Sequence, residues 1–289
     1  MYLISICLLL IMKNIRLVNT LDTFHKLTTG CPPIPKYIHY RNSLESFPMD
    51  VYEKEFLKPL PIINMYPAGV KGYYNLGAVS FLKENYDMNK YIICGASAGA
   101  WNSIAMAYKG SINNFCMKLL KQVETNCNAN SIYEMQKYLK TYILDNYQME
   151  DFDFSRTYLS LCVQIPNSYL LQPIPQSRSI KLNLNTHLYT DFNKLHDVID
   201  CCIASSNIPL ITGPRNLLYD GYTVYDGGFN KRPFFSKDGY YNLSPFMWEN
   251  ENVPTSAFYS VQHLDVMKSY MMGYQDCFNH IDKLNKLFE

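Results

Sequence analysis

The sequence predicts an α/β protein with a mostly parallel central sheet covered by helices. Two observations predict it. Strand, helix, strand and helix patterns follow one another within about fifty residues after Pro61, a rhythm that pairs parallel strands through crossover helices. One of those strands passes into its helix through a run of small residues, Gly95-Ala96-Ser97-Ala98-Gly99, an abrupt turn typical of the top of such a sheet. Composition agrees: 48% of the 289 residues are hydrophobic and 18% charged, a globular balance that excludes an extended disordered chain.

Residues 1–58 read as an N-terminal extension. Pro48 and Pro59 break any long helix there, and Thr29-Gly30-Cys31-Pro32-Pro33 is turn-rich. Tyr2 to Met12 is apolar, yet about eleven residues are short of the roughly twenty that cross a bilayer as a helix. Lys13 and Arg16 follow this stretch rather than precede it, the reverse of a secretory signal. A buried strand, a weak N-terminal membrane anchor and a start at Met12 all remain open.

The main domain is expected over residues 59–240. Ile62 to Tyr66 reads as a strand, Pro67 to Gly72 as a loop, and Tyr73 to Asn85 as a helix. Tyr91 to Cys94 is a second strand, and Ala98 to Tyr108 its following helix. Ser111 to Tyr147 is helical by pattern with a break near Asn126 to Asn130. Thr157 to Val163 reads as a buried strand, Lys181 to Thr190 as another strand, and His196 to Ser205 as a short helix ended by Pro209. Asp220-Gly221 marks a tight hairpin leading into Tyr222 to Tyr225 and then Asp226-Gly227-Gly228. Residues 241–289 form a C-terminal helical segment. Tyr270, Tyr274, Phe278, Ile281, Leu284 and Phe288 recur there at helical spacing, which predicts one helix over Ser260 to Phe288 facing the core, with a membrane-binding face as the alternative.

Charge and cysteines remove several function classes. The net charge is +1 with no long basic run, so no nucleic-acid partner is expected. The nine cysteines are odd in number and include no C-x-x-C pair, which excludes a full disulfide framework and a zinc site. Free buried thiols of a reducing, intracellular compartment are the expectation. No calcium loop occurs, and neither a metal nor a cofactor is expected.

The chemistry centres on Ser97. Gly95-x-Ser97-x-Gly99 supplies the small neighbours that a sharp strand-to-helix turn needs, and the turn lifts the Ser97 hydroxyl off the sheet. The helix that begins there offers free backbone N–H groups and a positive dipole end to a developing oxyanion. Small residues at this spacing also serve plain helix-sheet packing. Serine at its ordinary pKa is a poor nucleophile and needs a base, either a histidine oriented by an acid or a carboxylate alone. None of the six histidines sits in a motif that marks a base. Asp226 stands at a strand end before two glycines, where a carboxylate can project into a cleft; an ordinary Asp-Gly turn is the plainer reading.

Taken in order, the glycine-bearing loop at Gly69-Val70-Lys71-Gly72, the elbow at Ser97 and Asp226-Gly227-Gly228 resemble the patatin-like phospholipase family. Leu76-Gly77-Ala78-Val79 and Ala204-Ser205-Ser206-Asn207-Ile208-Pro209 extend the resemblance over about Pro61 to Pro233. It implies a three-layer α/β/α fold and a serine acyl hydrolase with a Ser97–Asp226 dyad and no catalytic histidine. The implied oxyanion donors lie at Gly69, Val70, Lys71, Gly72 and Ala98. The implied substrate is a phospholipid or neutral lipid at a membrane or lipid-droplet interface, met by a cytoplasmic protein with peripheral membrane association. No motif bears on oligomeric state. The loop departs from the family pattern: Pro67 and Ala68 replace glycines, and Lys71 stands where arginine is usual. Proline has no N–H to donate, so a weakened oxyanion hole is expected. Two further readings stand beside this one. A conventional triad would use His263 or His280, and a patatin-fold protein could bind lipid or a partner without turnover.

Overall fold

The computed structural model describes residues 60–125, 131–164, 184–229, 240–248 and 265–288. The N-terminal extension, His25, His39, His263 and the break at Asn126 to Asn130 lie outside the described residues, as do residues 181–183 of the predicted strand and residues 260–264 of the predicted C-terminal helix.

Among the described residues a mixed, mostly parallel sheet of seven strands runs through the centre. Strand β1 (Ile62–Met65) leads through a short turn into helix α1 (Gly72–Asn85), and β2 (Ile92–Ala96) into α2 (Ala98–Ala107). Helices α3 (Ile112–Thr125) and α4 (Ile132–Asn146) come next, followed by β3 (Thr157–Gln164), β4 (Leu184–Tyr189) and α5 (Leu195–Ser205). The hairpin β5 (Leu218–Tyr219) and β6 (Tyr222–Tyr225) precedes β7 (Tyr240–Leu243), and α6 (Val266–Asn279) and α7 (Ile281–Phe288) close the chain. Strands β7, β1, β2 and β3 are parallel neighbours, while β4 and β6 run antiparallel to β3. Strands β1 and β2 are buried at every position and apolar apart from Asn64 and Gly95, as in sheets covered on both faces.

Two expectations change in detail. The single helix predicted at the C-terminus is two helices. His280 separates them, its N–H bonded back to Asp276 and Cys277 carbonyls and its ring stacked on Trp248 at 4.2 Å between centroids. Apolar spacing continues across this break, so periodicity did not mark it. Residue 240, where the sequence reading closes the catalytic domain, is the first residue of β7, which pairs in register with β1 from Ile62↔Tyr240 to Met65↔Leu243. The sheet therefore runs on past that boundary.

The topology sets up a meeting point. Strand β2 pairs with β3 up to Ala96↔Ser160, and β6 pairs with it at Val163↔Val224 and Cys162↔Tyr225. Because β4 occupies the other edge of β3 along residues 159–164, β2 and β6 share one edge. They run in opposite directions along it, so both carboxyl ends converge between Ser160 and Cys162. The residues that follow are Ser97 and Asp226.

The six cysteines among the described residues, Cys94, Cys116, Cys162, Cys201, Cys202 and Cys277, are buried free thiols. Among the described residues no helix is long and apolar enough to cross a membrane.

Candidate active site

Ser97 sits at the turn between β2 and α2 with φ 55° and ψ −126°, a backbone conformation rare for a residue with a side chain. The turn is tight because α2 presses on the neighbouring strand: a Cβ built on Gly99 would meet the Met65 carbonyl oxygen at 1.9 Å. Serine at a helix start usually folds its hydroxyl back onto the helix N–H groups. Here the hydroxyl makes no such cap. It donates instead to Asp226 Oδ2 at 2.6 Å, with Ser97 6% and Asp226 5% exposed.

Asp226 is held from three sides. Its N–H donates to the Asn207 carbonyl at 2.7 Å, and its Oδ1 accepts the Gly228 N–H at 2.7 Å, which leaves Oδ2 facing Ser97. Gly227 lies so close to the convergence point that a Cβ there would meet the Ser160 carbonyl oxygen at 2.5 Å. Burial raises the Asp226 carboxyl to about 6, partly offset by the hydrogen bonds from Ser97 and Gly228.

The segment Ala204 to Pro209 ties both residues together. Ser205, fully buried at the end of α5, accepts the Ser97 N–H at 2.8 Å and donates to the Ser160 carbonyl at 2.6 Å. Asn207 holds Asp226 through its carbonyl and donates its side-chain amide to the Val224 carbonyl at 2.8 Å. The sequence singled out this stretch only as small residues, and nothing in their spacing marked Ser205 and Asn207 as clamps.

Gly69 to Lys71 form one 3₁₀ turn, entered by Gly69 at φ 53°. The Lys71 N–H donates to the Ala68 carbonyl at 3.0 Å, and the Gly72 N–H to the Gly69 and Val70 carbonyls. Those two N–H groups serve the turn itself. The N–H groups of Gly69, Val70 and Ala98 have no acceptor among the described residues, and all three residues line the same cavity as Ser97 and Asp226. Lys71 points elsewhere: it is 4% exposed, its Nζ lies 4.0 Å from the Phe246 ring centroid, and burial lowers its amine to about 8.

The cavity holds about 130 Å³ and runs from Ser97 and Asp226 between α2, α3 and α4. Its far wall is aliphatic, with Leu119, Leu120, Val123, Ile132, Leu139 and Ile143. No histidine lines it among the described residues. His280 lies against Trp248 with Nδ1 2.8 Å from the Asp276 carbonyl oxygen. His187 packs against Tyr222, and burial lowers its pKa. No cluster of metal-ligating side chains occurs among the described residues.

The family model for patatin-like phospholipases matches residues 68–235, more than half of the chain. The chain belongs to the patatin-like phospholipase family. The match takes in the 3₁₀ loop, the Ser97 elbow, the clamp segment and Asp226. It also assigns this patatin-like protein to the lipid acyl hydrolases, and the α/β fold with its mostly parallel sheet agrees. No curated protein matches the chain.

Proposed function

We propose that this protein is a serine hydrolase of carboxylic esters in lipids, working through Ser97 and Asp226 without a histidine. The observation that carries the proposal is the 2.6 Å hydrogen bond from the Ser97 hydroxyl to a buried carboxylate, both residues lining an apolar cavity. Ser97 Oγ attacks the ester carbonyl carbon and its proton passes to Asp226 Oδ2. The N–H groups of Gly69, Val70 and Ala98 receive the oxyanion, backed by the N-terminal dipole of α2. Collapse expels the alcohol, which takes the proton from Asp226 and leaves an acyl-enzyme on Ser97. Water then gives a proton to Asp226 and attacks the acyl carbon. Release of the fatty acid returns that proton to Ser97.

A carboxylate raised toward 6 is a stronger base than an exposed aspartate and is still ionised at neutral pH. The aliphatic walls suit the acyl chain of a phospholipid or neutral lipid, taken up at a membrane or lipid-droplet surface by a protein associated peripherally with it. The three available N–H groups favour turnover over a merely lipid-binding role despite Pro67.

Ser97→Ala and Asp226→Asn should each abolish fatty-acid release from a fluorogenic ester, and a fluorophosphonate probe should label the wild type but not Ser97→Ala. Hydrolysis retained in either variant overturns the dyad. An unlabelled wild-type Ser97 favours binding without turnover, and loss of activity in His280→Ala or His263→Ala favours a triad.

A further inference from the structure

Three residues that line the cavity carry a buried polar atom with no hydrogen-bond partner among the described residues: Ser206, between Ser205 and Asn207, and, in the apolar part of the lining, Gln136 and Trp101. Gln136 lies on α4 among the lining residues Ile132, Met135, Leu139 and Ile143, and it is 4% exposed. Its carboxamide oxygen has no hydrogen-bond partner among the described residues. Trp101, in α2, also lines the cavity and has its indole N–H buried and likewise unpartnered among the described residues. Buried polar groups of folded proteins are nearly always hydrogen-bonded, because losing water without a replacement destabilises the fold. A plain alkyl chain seated here keeps Gln136 and Trp101 unpaired, whereas leucine at 136 would extend the aliphatic face of α4 without that cost.

We propose that this pocket selects acyl chains carrying an oxygen substituent, such as a hydroxyl, partway along the chain. A hydroxyl can donate to the Gln136 oxygen or accept from the Trp101 N–H, and the methylenes on either side of it meet the aliphatic walls. The proposal rests on the reading that acyl esters enter from Ser97. Its physical basis is asymmetric: a site built to hydrogen-bond a substrate group rejects the analogue lacking it far more strongly than an apolar site rejects an added group. Gln136 and Trp101 are then specificity residues.

The test uses the full chain and a series of p-nitrophenyl esters of one chain length, unsubstituted or hydroxylated at successive positions. One hydroxyl position should raise kcat/KM at least tenfold over the unsubstituted ester. Gln136→Leu should erase that preference and improve the plain ester, and Trp101→Phe should weaken it. The corresponding free acids, titrated calorimetrically into Ser97→Ala, should follow the same order. That measurement needs no turnover, so it tests the pocket even if the nucleophile assignment fails, which would show separately as hydrolysis retained in Ser97→Ala. The proposal is overturned if the plain acid binds best, or if Gln136→Leu leaves the preference intact.

Discussion

The hydroxyl of Ser205 accepts the backbone N–H of Ser97 at 2.8 Å and donates its own proton to the Ser160 carbonyl at 2.6 Å. One buried side chain thus pins the strained elbow to the central strand. Ser205→Ala leaves a buried donor and a buried acceptor facing each other without a bridge. Such losses cost about 1–3 kcal/mol each, so denaturant unfolding should register a drop of that order. The elbow also gains freedom to leave φ 55°, so kcat should fall about tenfold with KM nearly unchanged. An unaltered kcat would show that the turn holds its shape without Ser205.

Asp226 predicts opposite pH dependences for activity and stability. Its carboxyl must be ionised to take the Ser97 proton, so turnover should rise with pH through about 6, the value to which burial raises it. Stability runs the other way. Below about 4 the carboxyl is protonated in both the folded and the unfolded chain, and its contribution is fully present. Between there and about 6 the folded chain binds the extra proton, so stability falls as pH rises through that window. Asp226→Asn removes the ionisation while keeping an acceptor for the Gly228 N–H. At pH 8 the variant should be inactive yet more stable than the wild type, by about 1–3 kcal/mol in denaturant titrations. Equal stability at pH 8 would mean that the buried carboxylate costs the fold nothing.

How far the sequence could be read depended on how local each feature is. The elbow announces itself because Gly95, Ser97 and Gly99 lie within five residues and each meets a local steric demand. Asp226 was legible as a strand-end carboxylate, but only the family resemblance paired it with Ser97. The physical cause of that pairing, two strands closing on Ser160 and Cys162 from opposite directions, is spread over about 130 residues of chain. The Ser205 clamp was hidden for the same reason: its partners lie 108 and 45 residues away. Strand β7 was missed because a four-residue segment, Tyr240–Leu243, carries too little pattern for a period to register. Pro67 has no N–H to donate, and the N–H groups of Gly69, Val70 and Ala98 have no acceptor among the described residues.

That arrangement of the loop gives a paired prediction. Gly69 holds φ 53°, so alanine there is strained by about 1–2 kcal/mol and should pull the 3₁₀ turn away from Ser97. Gly69→Ala should lower kcat between about tenfold and a hundredfold, with less change in KM. Pro67→Gly restores an N–H at the position the family usually fills with glycine. Because the proposed oxyanion hole already draws on Gly69, Val70 and Ala98, it should raise kcat no more than about twofold, and the added freedom of the unfolded chain should cost it about 0.5–1 kcal/mol. A tenfold gain on Pro67→Gly would show that the native loop is short of a donor.

Helix α6 is linked to the same loop through α1. Helix α6 crosses α1 with backbone nearly touching backbone: a Cβ on Gly77 would meet the Tyr270 carbonyl oxygen at 1.9 Å, and one on Gly273 the Tyr74 carbonyl oxygen at 1.9 Å. Hydrogen bonds lock the crossing on both sides of the glycines, from Tyr74 to Asp276 at 2.6 Å and from Tyr270 to Ser80 at 2.8 Å. Gly77→Ala or Gly273→Ala must force the helices apart, and overpacking of this kind costs about 1–3 kcal/mol or more. Both substitutions open the same crossing, so the double variant should lose clearly less than the sum of the two single losses. Helix α1 begins at Gly72, directly after the 3₁₀ turn that carries Gly69 and Val70. Displacing it should therefore also slow fluorophosphonate labelling of Ser97, although neither glycine lines the cavity. Labelling at the wild-type rate in a destabilised Gly273→Ala protein would show that the loop is held independently of the crossing.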